Sequence, residues 1–227
     1  MRSFLRDRGA GLGLVVLIML AISLAQGGIS YTMTFGALRR FLPAAVAELT
    51  TALVVLRFCL VAVMAALWIL KRKRALFRLI IIVNSLFTLA LLGHTDALLG
   101  TLFGSVSVAI DALLLDVMLM AVSNILIFSI WYWIIDPPGV EEAPRADLPW
   151  EFLFPQRGGS MPHYESWVPR YADYLFVAFT TSFAFSPTDT LPLTRRAKML
   201  MLLQASISVV TLTGIAGSAI NILAGGK

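Results

Sequence analysis

Five stretches of this chain are too long and too apolar to sit in the core of a water-soluble domain. They run from about Gly11 to Phe35, Ala44 to Leu70, Leu76 to Gly93, Val106 to Ile135 and Lys198 to Leu223. A helix needs about 20 apolar residues to cross the hydrocarbon layer of a bilayer. Composition agrees: 59% of residues are hydrophobic and 14% are charged, against about 25% charged in soluble domains. A bilayer admits only helices or closed barrels, because no water is present there to satisfy a bare backbone. Strict apolar-polar alternation is absent and the apolar runs are continuous, so the runs are read as helices. The expectation is one all-α integral membrane domain over 1–227, with about five transmembrane helices.

The net charge of +5 gathers at the ends of the apolar runs, where it orients helices in a membrane. No basic aromatic surface accompanies it, so no nucleic-acid partner is expected. Cys59 is the only cysteine, which excludes a disulfide within the chain. Arg2, Arg6 and Arg8 precede the first run, and Ser23-Leu24-Ala25 has the small-residue character of a signal-peptidase site. The run stays uncharged beyond Gln26, so a retained anchor is the reading adopted. His94 to about Ser105 reads as a short interfacial segment. Trp131, Tyr132 and Trp133 close the fourth run with rings suited to the headgroup layer.

From Asp136 to Arg170 the chemistry changes. Seven prolines punctuate this stretch and acids outnumber bases, so 136–170 is read as an extramembrane loop. Its five rings, Trp150, Phe152, Phe154, Tyr164 and Trp167, predict partial packing on the membrane face, since disordered linkers are poor in aromatics.

Orientation follows from charge. If each long run crosses once, the N-terminus, Lys71–Arg74 and the 136–170 loop share one side. Arg195, Arg196 and Lys198 join them only if Tyr171–Phe185 does not cross. The positive-inside rule wants these groups together in the cytoplasm. At fifteen residues, Tyr171–Phe185 is also short of a full span. It is therefore expected to be re-entrant or interfacial. Ser186-Pro187-Thr188-Asp189 then reads as a helix start, with Ser186 or Thr188 as the cap and Asp189 suited to the helix dipole.

Polar residues inside the runs need partners. Arg57 falls near the middle of the second run, where an arginine costs about 2.5–3.5 kcal/mol on insertion scales. Asp111 and Asp116 lie in the outer half of the fourth run, and depth matching suggests an intramembrane Arg57–Asp116 pair. Such a pair either fixes helix order or belongs to a polar pathway. Gln204, Ser208 and Thr211 share a face of the last helix, which serves either helix packing or a wet lining. Gly214 and Ser218 form a small-xxx-small pair that lets helices approach closely. Asn84 and Asn124 are expected to bond between helices. No phosphate-cradling glycine loop, G-x-S-x-G elbow or ligand-spaced histidine pair occurs. The chain is read as a non-enzyme with no cofactor and no metal.

The segments "DYLFVAFTTSFAFSPTDTLPLT", "WYW", "DPP" and "FLFPQ" resemble blocks of an uncharacterised family of bacterial multi-pass membrane proteins. The resemblance covers roughly the C-terminal half and implies the bacterial inner membrane. The region 171–223 is also similar, more distantly, to the pore helix, filter and inner helix of potassium channels. Tyr174–Phe185 would be the pore helix; Asp189 and Pro192 would match the Asp-x-x-Pro after the filter. The filter position is held by Phe185, Ser186, Pro187 and Thr188. No glycine occurs between Gly159 and Gly214, and proline cannot take a glycine-like conformation. A potassium filter, built from a ring of backbone carbonyls, is thus not implied. Together these readings suggest a channel-like or transport protein, homo-oligomeric, with a monovalent cation as the candidate permeant. The alternative is a membrane scaffold that docks a partner through 136–170.

Overall fold

A computed structural model describes residues 11–35, 44–103, 110–136, 150–158, 162–164, 167–184 and 189–223. The chain is an all-α membrane protein, and five of its helices are long and apolar enough to cross a bilayer. These are α1 (Gly11–Phe35), α2 (Ala44–Ile69), α3 (Lys73–Phe103), α4 (Ile110–Ile135) and α6 (Arg195–Leu223). Between the last two lie strand β1 (Phe152–Leu153), a short 3-10 turn (Pro155–Gly158), the half-length helix α5 (Tyr171–Ala184) and strand β2 (Leu191–Pro192).

Side-chain contacts fix which helix ends lie together. At the start of α1, a β-carbon on Gly13 would sit 2.9 Å from Trp68 Nε1, near the end of α2. Gly11 lies beside Trp133, near the end of α4. The α2–α3 turn is therefore level with the start of α1 and the end of α4. At the opposite end, a β-carbon on Gly214 of α6 would meet Val117 of α4 at 3.2 Å and Leu98 of α3 at 3.3 Å. Small residues permit such close approach, and in lipid the packing itself drives association.

α4 is the hub. It packs against α1, α3, α5 and α6 and buries Val117, Met120, Ile127, Phe128, Tyr132 and Trp133. α2 packs on α1 and α3 and turns Leu53, Val55, Leu56 and Val63 outward, as a lipid-facing helix must. Cys59 is on this exposed face. The α2–α3 turn is a Schellman motif: Arg72 N–H donates to Leu67 C=O at 2.9 Å and Lys71 N–H to Trp68 C=O at 3.0 Å. Lys71 takes φ 53° there, a position that usually holds glycine.

Two sequence expectations are corrected. The third run does not stop at Gly93 with an interfacial segment after it; α3 continues unbroken to Phe103, because His94, Thr95 and Asp96 interrupt its apolar face without breaking its backbone bonds. The rings of Tyr132 and Trp133 are buried, at 0% and 2% exposure, because they pack against the loop and α5 and do not line a headgroup layer. Of the helix start expected at Ser186–Asp189, residues 186–188 lie outside the described residues. α6 itself is capped by Thr194, whose Oγ1 accepts from Ala197 N–H at 3.2 Å, and Leu191–Pro192 is an extended segment before it.

Candidate functional site

α5 begins beside the end of α4. Its first turn is closed by Asp173, whose Oδ2 accepts from Arg170 N–H at 2.6 Å, half of a capping box. Tyr171 bonds Ser129 of α4, and its ring stands edge-on to Trp133. Ten residues further on, α5 has reached the level of Gln204, which lies nine residues into α6 and so about 14 Å along it. The chain then comes back. Leu191 and Pro192 pair antiparallel with Leu153 and Phe152, at the same end of the bundle where α5 started. The segment from Tyr171 to Thr194 thus enters and leaves on one side, with α5 packed on α4 and α6.

Two polar nodes hold this hairpin. The inner one centres on Gln204, fully buried. Its Nε2 donates to Ala178 C=O at 2.7 Å and to Ser182 Oγ at 2.8 Å on α5. Its Oε1 accepts from the Tyr132 hydroxyl of α4. Asn124 adds a second tie between α4 and α6, donating to Ser208 Oγ at 2.8 Å and to Gln204 C=O at 3.2 Å. Three helices are joined through one amide.

The outer node centres on Asp136, also fully buried, at the end of α4. Oδ1 accepts from Glu151 N–H at 3.0 Å, Phe152 N–H at 3.3 Å and Arg157 Nη1 at 3.1 Å. Oδ2 receives Arg157 Nη2 at 2.8 Å and the Tyr174 hydroxyl of α5. Arg157 thus grips the carboxylate with both arms of its fork, and Nη1 also donates to Phe152 C=O at 2.8 Å. The guanidinium carbon lies 5.1 Å from the Trp150 ring centroid and 5.7 Å from that of Phe154, within cation–π range. Phe152 and Phe154 stand edge-on to Tyr174, and Phe152 also meets Tyr132 edge-on. Glu151 then accepts from the Thr194 hydroxyl, and its carbonyl from Leu193 N–H at 2.9 Å. The 150–158 segment thereby ties α4, α5 and the start of α6 into one cap.

The residues singled out from the sequence fall as follows. Phe185, Ser186, Pro187 and Thr188 lie outside the described residues. Asp189 is exposed at the turn before β2. Gln204, Ser208 and Thr211 are all buried; the first two bond across helices, and Thr211 bonds back to Ile207 and Ser208 carbonyls. Arg57 lies on α2 with Nη1 buried and without a hydrogen-bond partner, in electrostatic range of His94 on α3. Asp116 is buried on α4, and Asp111 falls in the first turn of the same helix. Asn84 of α3 bonds across to Ile127 C=O of α4 at 3.2 Å.

Sequence reasoning missed the Asp136–Arg157 pair, although both residues lie in stretches it had singled out. The available signal was an acid directly after the apolar, aromatic end of a helix, followed by an arginine among rings, which a charge count of the loop averages away. No protein-family model matches this chain, and no curated protein or solved structure was found to match it.

Proposed function

We propose that this multi-pass membrane protein is a channel-like, non-enzymatic subunit in which several copies together close a path for a small monovalent cation. The observation that supports this reading is the hairpin from α5 to β2. A half-length helix enters the bundle, the chain returns to the same side, and a full spanning helix follows. Non-helical backbone at membrane depth is tolerated only where protein or water covers it. One hairpin per chain cannot enclose a path, so a homo-oligomer follows. Asp189 would stand at the mouth and concentrate cations by its charge. The buried Gln204–Ser208 face would not line the path; it would clamp the hairpin to α4 and α6. The resemblance of 171–223 to the potassium-channel pore module and the bacterial inner-membrane location are parts of the same proposal.

Flux measurements on protein reconstituted in liposomes, with a panel of monovalent cations, test it. Asp189→Asn should lower flux or change the order of preference among cations. Unchanged flux and preference would remove the mouth role. The second reading, a scaffold subunit, draws on Tyr164 and Val168, which the cap exposes at 42% and 40%. Folded protein that passes no ion in the panel would favour it.

A further inference from the structure

Several polar atoms in the middle of the bundle are buried without a hydrogen-bond partner among the described residues. They include Ser23 Oγ and Gln26 Oε1 on α1, Arg57 Nη1 on α2, Asn84 Oδ1 on α3, and Ser123 Oγ and Asn124 Oδ1 on α4. In native proteins such groups nearly always have a partner, and ordered water is the usual one when the protein supplies none.

His94 Nε2, further along α3, and Thr181 Oγ1 on α5 lie apart, but the other six gather about one level. Ser23 is twelve residues from the start of α1, and Asn84 is eleven from the start of α3. Arg57 is twelve residues before the end of α2, and Ser123 is twelve before the end of α4. Those four helix ends lie on the same side of the bundle, as the Gly11, Gly13 and α2–α3 turn contacts establish. At ~1.5 Å per residue, the four α-carbons sit about 17–18 Å from that side. Asn124 lies in the same layer, and Gln26 is one turn deeper.

The amides also point consistently. Gln26 spends an N–H on Phe87 C=O at 2.9 Å, Asn84 on Ile127 C=O, and Asn124 on α6. In each, the donor end is anchored to a neighbouring helix and the carbonyl oxygen is left over. Three anchored acceptors, two hydroxyls and one guanidinium N–H form a mixed set of donors and acceptors. A cation would be repelled by Arg57, and an isolated anion would find mostly oxygen acceptors. Water, which both donates and accepts, suits the whole set.

We infer that ordered water molecules occupy a layer across the middle of the bundle, bridging Ser23, Gln26, Asn84, Ser123 and Asn124 and reaching Arg57. This hydrated layer lies inside each chain. It is separate from any path closed between copies and stands or falls independently of the channel-like reading.

X-ray radiolysis of the wild-type protein in lipid nanodiscs tests it. Radiolysis makes hydroxyl radicals from water in place, so a buried side chain is oxidised only where water touches it. Met120 is fully buried on α4, one turn from Ser123 and Asn124, and Met19 is fully buried on α1, one turn from Ser23. Exposed Tyr164 reports that labelling has worked. Oxidation of Met120 and Met19 at rates comparable with Tyr164 is the expected result. Labelling of Tyr164 with both methionines untouched would overturn the inference. Ser123→Ala gives a second readout. A lowered melting temperature in detergent is expected, because the bridging water loses a partner. A raised one would also overturn the inference, since deleting a dry, unpaired hydroxyl relieves a penalty.

Discussion

Removing the charge of Asp136 should cost more than any other single change in the cap. Its carboxylate is fully buried and meets two backbone N–H groups, both arms of Arg157 and the Tyr174 hydroxyl. In Asp136→Asn one oxygen becomes an amide nitrogen, a donor facing other donors. The Arg157 side chain, 2% exposed, would be left as a buried cation without a counter-charge. Breaking such a pair from one side costs about 3–5 kcal/mol, which is roughly two to three and a half powers of ten in the folding equilibrium at ~1.4 kcal/mol per tenfold. Tyr174→Phe removes one bond to a charged group and should cost about 1.5–3 kcal/mol. The assay is unfolding by SDS titration in mixed micelles, followed by tryptophan fluorescence; three of the five tryptophans, Trp133, Trp150 and Trp167, lie near the node. A double-mutant cycle with Arg157→Met separates the pair from its parts. The double variant should be more stable than Asp136→Asn alone, because it contains no stranded charge. If Asp136→Asn unfolds within 1 kcal/mol of wild type, or if adding Arg157→Met makes matters worse by its full single-mutant cost, the clasp is not what holds the cap together.

Gln204→Leu deletes three interhelical bonds; at the ~0.6 kcal/mol average for such bonds in membranes it should cost about 2 kcal/mol in the same titration. Gly13→Leu would drive a side chain into the Trp68 ring and should destabilise by about 1–3 kcal/mol, as overpacking does, with the larger effect on α2. Thr194→Ala removes the α6 cap and the partner of Glu151 and should cost about 1 kcal/mol for the cap alone, read as a lower thermal midpoint. Lys71→Gly should raise stability by about 1 kcal/mol, since lysine is held there in the left-handed region; a fall in the unfolding midpoint would contradict this.

The spanning helices were legible because bilayer physics leaves few choices. Uninterrupted apolar runs became α1, α2 and α4 with nearly the expected ends. α3 was misjudged because a short polar run, His94-Thr95-Asp96, lowers the local hydropathy without ending the helix. The half-length α5 was legible from its length and from the basic residues on both sides of it. What held it in place was not. Tyr132 and Gln204 are 72 positions apart and Asp136 and Tyr174 are 38 apart, and no local periodicity connects them. Tyr132 looked like a headgroup ring because its hydroxyl suits that role equally well. The start of α6 was placed three residues late for a similar reason: its cap, Thr194, is one of several cap-competent residues in this stretch, and its bond to Glu151 of the loop is not visible locally.

The central claim is that the chain between α4 and α6 enters the bundle and leaves it on one side. The direct measurement is labelling of single cysteines with an impermeant thiol reagent, in a Cys59→Ala background, applied from each face of oriented vesicles. Arg170→Cys and Arg195→Cys flank the hairpin at exposed positions, and Lys73→Cys marks the α2–α3 turn. All three should be labelled from the same face. Labelling of Arg170→Cys and Arg195→Cys from opposite faces would mean that α5 crosses the membrane, and the account of the hairpin, its clasp and its mouth would be wrong.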